Sequence, residues 1–248
     1  FDVYIVEHCG HGKSYRLLES EPCKVYVDTY QRYVRDLLKV AALAKKENPE
    51  LPLTLFGHSM GGGIAGVAAG RKPKWFDRVI LSSPMIPPQT GGIPWGIAKA
   101  LAHIACFFGR GKSWVFGHGP YKGLENFDTS ASASRARFDY YQAYKNREAT
   151  AQLSGATYGW IRAAAGIHRE LMRKTIHRLH MPLLLVQAGS DQSVRNDAQD
   201  LFIELLQKDP DSDARMVQIP CSKHEIFNSP DEVYAGYLRE IFRFCSLR

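Results

Sequence analysis

Ser59 stands in Gly57-His58-Ser59-Met60-Gly61, a G-x-S-x-G arrangement. A serine hydroxyl is a weak nucleophile until a base takes its proton and a third group orients that base. The five-residue pattern alone arises by chance in about one chain in ten at ordinary glycine usage of about 7%. Its context carries the information. Leu53 to Phe56 reads as a strand leading in, and Gly61-Gly62-Gly63-Ile64-Ala65-Gly66 as a small-residue helix leading out. A sharp strand-to-helix turn lifts the hydroxyl clear of the sheet, and the helix N-terminus favours negative charge developing there. The competing reading, a glycine-rich packing turn with an incidental serine, accounts for neither flank.

Of the nine histidines, His224 alone follows a C-terminal strand, Arg215 to Ile219, and a short loop, Pro220 to Lys223. It is the candidate base. His118, His177 and His180 read as surface or insert positions. The favoured acid is Asp191, just beyond the strand Leu183 to Val186. Asp197 and Asp200 remain alternatives, since carboxylates at a helix start also cap it and serve its dipole. Two other patterns fail. Gly12-Lys13-Ser14 and Gly111-Lys112-Ser113 resemble the end of a phosphate-binding loop, but Glu7 and Cys106 stand where its first glycine belongs. His8-Cys9-x-His11 lacks a second ligand pair at zinc spacing and reads as a turn. No metal or organic cofactor is implied.

The elements that must position these residues alternate. Val3 to Val6 reads as a buried strand ending at Gly10-His11-Gly12, and Tyr30 to Lys46 as a helix ended by Asn48-Pro49. Further strands are expected at Val79 to Leu81, Leu183 to Val186 and Arg215 to Ile219. Helices are expected over Met60 to Ala69, Asp197 to Gln207 and Asp231 to Phe244. Strands alternating with helices imply an α/β fold with a mostly parallel sheet and crossover helices. Residues 84–180 break the pattern. They hold helical stretches at Ser132 to Lys145 and Tyr158 to His177 but no convincing strand, and a hundred residues is too long for a loop. They are expected to form a helical cap between two halves of the core, 1–83 and 181–248.

The 248 residues carry a formal net charge of +7. The insert holds eight Arg and five Lys against two Asp and three Glu, so the positive balance belongs to it and the core is nearly neutral. With aromatics such as Trp95, Phe107, Phe108, Trp114 and Phe116 nearby, this reads either as a solvated face or as a basic cap touching an anionic membrane. No nucleic-acid module accompanies the charge. Five dispersed cysteines without a CxxC pair suggest reduced thiols and a cytoplasmic setting. The longest apolar segment, Gly96 to Gly109, is too short to span a bilayer.

Glu7-His8-Cys9-Gly10-His11-Gly12-Lys13-Ser14, Leu55 to Gly62 and Leu81-Ser82-Ser83-Pro84-Met85 together resemble the monoacylglycerol-lipase-like serine hydrolases of the α/β-hydrolase superfamily. Gly155 to Arg162, Leu184 to Gly189 and Lys223-His224-Glu225-Ile226 are similar to the bacterial inner-membrane lysophospholipases of that group. The resemblance implies an ester hydrolase releasing a fatty acid from a single-chain glycerolipid, with Ser59, Asp191 and His224 at the triad positions. It also implies that the Met60 N–H serves the oxyanion hole. A general carboxylesterase, an aminopeptidase and a non-catalytic lipid-binding relative are the alternatives. Cys9 departs from the arginine usual there, which bears on how that loop is anchored. The family's earlier strands and the His-Gly segment with the second oxyanion donor have no counterpart here. Val3 to Val6 is therefore expected inside a sheet with a vacancy beside it, in a chain that is part of a longer protein.

Overall fold

The computed structural model describes residues 1–123 and 125–246. In chain order the first elements are β1 (Lys24–Val25), α1 (Gln31–Glu47), β2 (Thr54–His58), α2 (Met60–Arg71) and β3 (Arg78–Ser82). Then come α3 (Trp95–Phe107), α4 (Arg135–Arg147), β4 (Gly155–Ala156) and α5 (Tyr158–Glu170). β5 (Leu183–Ser190), α6 (Asn196–Gln207), β6 (Ala214–Lys223) and α7 (Asp231–Ser246) complete the order.

β2, β3, β5 and β6 lie side by side in that order, every pairing parallel. The expected parallel sheet with crossover helices is what forms. Parallel neighbours cannot be joined by a tight hairpin, so α2 carries the chain from β2 to β3 and α6 from β5 to β6. Alternation along the strands sorts the core into two layers. Val79, Leu81, Leu183 and Leu185 pack with α2, α5 and α6. Ile80, Leu184, Val186 and Ala188 pack with Tyr237 and Phe244 of α7. Both faces of β3 and β5 are covered, which is why these strands are apolar runs without a polar side.

Three sequence expectations change, and one helix forms that the sequence pattern did not mark. Val3 to Val6 is not a strand; residues 1–8 have no regular element, and Val3 and Ile5 are 75% and 85% exposed. A strand needs a neighbour for its N–H and C=O groups, and no described strand pairs with this segment. It is tied instead by the Tyr4 hydroxyl, which bonds the Glu47 carboxylate and accepts from Asn48. The insert does contribute a strand, since β4 pairs with β1. The apolar run from Gly96 folds as α3. The helix expected from Tyr158 to His177 is α-helical only to Glu170, then becomes a π turn over Leu171–Thr175 and a 3₁₀ turn over Ile176–Arg178.

Arg16 anchors the loop around Cys9, donating to the carbonyls of Gly12 (2.7 Å), Ser14 (3.1 Å), Pro22 (3.2 Å) and Thr150 (3.1 Å). Cys9 itself is buried. No helix among the described residues is long and apolar enough to cross a membrane.

The π turn lies against α2 where α2 has no side chains. A Cβ on Gly66 would come within 2.9 Å of Leu171 Cδ1, and one on Gly70 within 2.7 Å of the Thr175 carbonyl oxygen. Backbone cannot yield as a flexible side chain does, so Gly70→Ala should destabilise the fold by about 1–3 kcal/mol. At Gly96, in α3, an added Cβ meets nothing within 4 Å, so Gly96→Ala should be neutral or stabilise by up to about 1 kcal/mol. Urea unfolding of the two variants checks the contrast, and equal midpoints would refute it.

Candidate active site

Ser59 leaves β2 at the carboxyl edge of the sheet and opens α2. Its backbone lies at φ 53° and ψ −122°, in the region that side chains rarely enter. Four hydrogen bonds hold it there. Its N–H donates to the Ser82 carbonyl at 3.0 Å, and its own carbonyl accepts from Gly62 (2.9 Å), Gly63 (3.2 Å) and Met85 (2.9 Å). The turn also needs bare backbone. A Cβ on Gly57 would sit 2.5 Å from the Gly61 carbonyl oxygen, and one on Gly62 2.9 Å from Pro84.

Asp191 follows β5 directly, after a register irregularity between Ala188 and Ser190 that shifts the pairing with β6 from Ala188↔Ile219 to Ser190↔Lys223. His224 follows β6 after Cys221, which takes φ 59° to bend the chain. Ser222 ties the two ends, its hydroxyl donating to the Ile219 carbonyl at 2.7 Å and accepting from the Gly189 N–H at 3.2 Å.

These elements bring the three residues into one line. Ser59 Oγ lies 2.8 Å from His224 Nε2, and His224 Nδ1 lies 2.7 Å from Asp191 Oδ2. Asp191 Oδ1 accepts the N–H groups of Ser193 (2.8 Å) and Val194 (2.9 Å), which fixes the carboxylate. Its side chain is wholly buried and the imidazole nearly so. A carboxylate on Nδ1 keeps the proton on that nitrogen, leaving the Nε2 lone pair toward the Ser59 hydroxyl. That tautomer can accept the serine proton, and the carboxylate can stabilise the imidazolium that results.

The other candidates are engaged elsewhere. Asp197 pairs with Arg195, and Asp200 accepts from Gln187 at 2.9 Å. Glu225, the carboxylate next to His224 in sequence, accepts from Asn228 at 2.7 Å. His118 Nδ1 accepts the Ala156 N–H at 2.9 Å, His180 faces Asp209 at 3.7 Å, and His177 is exposed. Met60 opens α2, so its N–H has no carbonyl a turn back to bond. Its sulfur accepts the Trp160 indole N–H at 3.2 Å, which seats α5 against the elbow.

Sequence reasoning passed over His58 and Phe227. The His58 ring centre lies 4.9 Å from that of His224 and 5.0 Å from that of Phe227. Burial, and then the neighbouring His224, push His58 down to about 3, so it stays neutral. The available signal was position alone: one residue before the serine and three after the histidine. Beside this layer runs a groove of about 830 Å³ bounded by Tyr140, Tyr141, Phe227 and Pro230, with Arg137 and Glu225 as polar edges. Its volume lies within the usual range for small-molecule sites.

Residues 1–231 match the family described as serine aminopeptidase, S33. The monoglyceride lipase of Rattus norvegicus is 28% identical over 251 residues, covering 99% of this chain and 73% of that protein. Lysophospholipase L2 of Escherichia coli is likewise 28% identical, over 98% of this chain and 72% of its own length. Among solved structures, a monoglyceride lipase from Saccharomyces cerevisiae superposes with a TM-score of 0.71 at 17% identity, covering 97% of this chain and 75% of that one. That likeness extends to the fold.

Two histidines near the elbow make stability depend on pH. Burial pushes His8 down to about 4, with His11 beside it adding to the effect, and His58 to about 3. Both are neutral in the fold, whereas in the unfolded chain they take up protons below about 6.5. Between about pH 6.5 and pH 4 the unfolded chain therefore binds more protons, and stability falls as pH falls. Urea midpoints should drop from pH 7.5 to pH 4.5, and less steeply in His58→Phe. A midpoint that rises on acidification would contradict this.

Proposed function

We propose, for a chain that belongs to the serine aminopeptidase (Hydrolase_4) family of α/β-hydrolases, that it hydrolyses the ester of a single-chain glycerolipid through a serine acyl-enzyme. One observation carries the reading: a strained, exposed-edge serine 2.8 Å from an imidazole whose other nitrogen is held by a buried carboxylate. Ser59 Oγ attacks the ester carbonyl as His224 Nε2 takes its proton, and Asp191 stabilises the imidazolium. The oxyanion meets the Met60 N–H at the α2 N-terminus. His224 then returns the proton to the leaving alcohol, and water, activated by the same imidazole, releases the fatty acid.

Monoacylglycerol and lysophospholipid are the substrates that the names of the rat and Escherichia coli relatives favour. The aromatic groove bordered by Phe227 and Glu225 suits an apolar chain with a polar head. Residues 84–180 serve as the cap over this site, and α5 roots them in the core through Ile161, Ala163, Ala164 and Ile167. The basic cap is the part that meets an anionic membrane. The family's description keeps an aminopeptidase activity as the second reading.

Ser59→Ala should fold normally, lose fluorophosphonate labelling and lower kcat by at least about 10⁴-fold. Asp191→Asn should cost about 10⁴-fold, because the amide favours the wrong tautomer. The wild type should cleave long-chain monoacylglycerols and lysophospholipids in preference to short p-nitrophenyl esters and to aminoacyl amides. Preference for the amides would move the assignment to a peptidase; absence of labelling in the wild type would make the chain a binder.

A further inference from the structure

The outward side of α3 is apolar. Trp95 and Ala102 are buried, whereas Ile97, Leu101, Ile104 and Phe108, spaced four, three and four residues apart, lie on one stripe and are about half or more exposed. Ile104 is 54% exposed and Phe108 71%, and Phe107 beside them is 85% exposed. A helix with its apolar stripe on the solvent side has the wrong polarity for water and the right one for a lipid interface.

Along the flank of this helix, between it and the end of α5, is a cavity of about 330 Å³. Lys99, His103, His168, Arg169, Met172 and Arg173 are among its walls, and no acidic residue lines it among the described residues. Three of the insert's other basic groups are matched locally: Arg135 with Asp139, Arg137 with Asp231, and Lys145 with Glu125. Among the described residues, no ion pair involves Lys99, Arg169 or Arg173. The Trp95 indole N–H donates to His168 Nδ1 at 3.2 Å. Indole is a donor only, so neutral His168 carries its own proton on Nε2 and has a further N–H to give. Burial and then Lys99 and Arg173 push His168 down to about 4, which keeps it neutral amid uncompensated positive charge.

We propose that this cavity binds the phosphate group of an anionic phospholipid headgroup while the outer stripe of α3 lies in the acyl boundary of the same bilayer. Lys99, Arg169 and Arg173 supply the charge and the His168 Nε2–H a directional donor. The headgroup sets the depth and rotation of a helix only about 20 Å long. The proposal rests on the membrane contact assigned to the cap, not on the serine chemistry.

The test is sedimentation of the wild type with phosphatidylcholine vesicles, and with vesicles in which part of that lipid is replaced by phosphatidylglycerol. Lys99→Gln/Arg169→Gln/Arg173→Gln is compared with Lys39→Gln/Lys46→Gln/Lys208→Gln, which removes the same charge from exposed positions elsewhere. The wild type should prefer the phosphatidylglycerol vesicles. The cavity variant should lose at least about tenfold of that preference, and the control variant less than about threefold. Ile97→Ser/Leu101→Ser/Ile104→Ser should weaken binding to both vesicle types, with an unchanged circular dichroism spectrum. Equal losses in the two charge variants, no preference in the wild type, or a stripe variant that binds like the wild type would each overturn the proposal. Inorganic phosphate that binds the cavity of a wild type indifferent to vesicle composition would make the ligand free phosphate and overturn the lipid assignment. Hydrolysis of a soluble short-chain ester should be unchanged in the cavity variant. Its absence in the wild type would count against the enzyme reading and leave the vesicle result standing.

Discussion

Ser59 holds φ 53° and ψ −122° because the groups around it leave its backbone no better conformation. Such a position costs on the order of 1–3 kcal/mol and persists only where the surroundings over-determine it. Here they do so twice. Hydrogen bonds from β3 and the following loop clamp the peptide groups on either side of the residue. The glycines at 57 and 62 let α2 and Pro84 approach to distances a side chain would forbid. The same closeness points the hydroxyl away from the sheet and toward the edge where β5 and β6 end. The positions of Asp191 and His224 have meaning only relative to that direction.

A second constraint binds the insert to this scaffold. Glu170, at the end of α5, accepts from Arg71 at 2.5 and 2.7 Å and from the Tyr30 hydroxyl at 2.5 Å. Burial would raise its carboxyl, but the bonds from Arg71 and Tyr30 outweigh that and hold it below the usual range. It is therefore a buried anion matched by a partly buried cation, joining α1, α2 and α5. Removing one partner would strand the other charge, which is far more costly than the pair is stabilising. The π turn that follows then lies over bare α2 backbone at Gly66 and Gly70. One helix thus carries Ser59 at its start and the anchor of residues 84–180 at its end.

Legibility in the sequence follows what each signal measures. Strands β3 and β5 were plain as apolar runs because both of their faces are covered. Val3 to Val6 has the same composition and lies unpaired, since β-branched and aromatic content reports that a residue suits a pleated surface, not that a neighbour is there. The run from Gly96 was legible as apolar and too short to span a bilayer. That its apolar side faces outward became visible only with Trp95 and Ala102 packed inward. The break of the long helix at Glu170 has no propensity signal, because the π turn answers to Gly66 and Gly70 a hundred residues away.

For the candidate site, residue type and local context were enough to single out Ser59 by its strand, turn and helix, and to favour Asp191 and His224 by their places after late strands. These are local properties, set by backbone sterics and by the order in which elements are made. The distances of 2.8 and 2.7 Å are not local. They depend on a four-strand order, on the irregularity after Ala188 and on the Ser222 staple. Tertiary packing alone also set His58 between the His224 imidazole and Phe227, and gathered Lys99, Arg169 and Arg173 around one cavity from α3, α5 and the π turn. A sequence states which groups a chain possesses and how its backbone turns nearby. Which of those groups meet is decided by the packing of elements distant in the chain, since charge and hydrogen bonding act over a few ångströms of space.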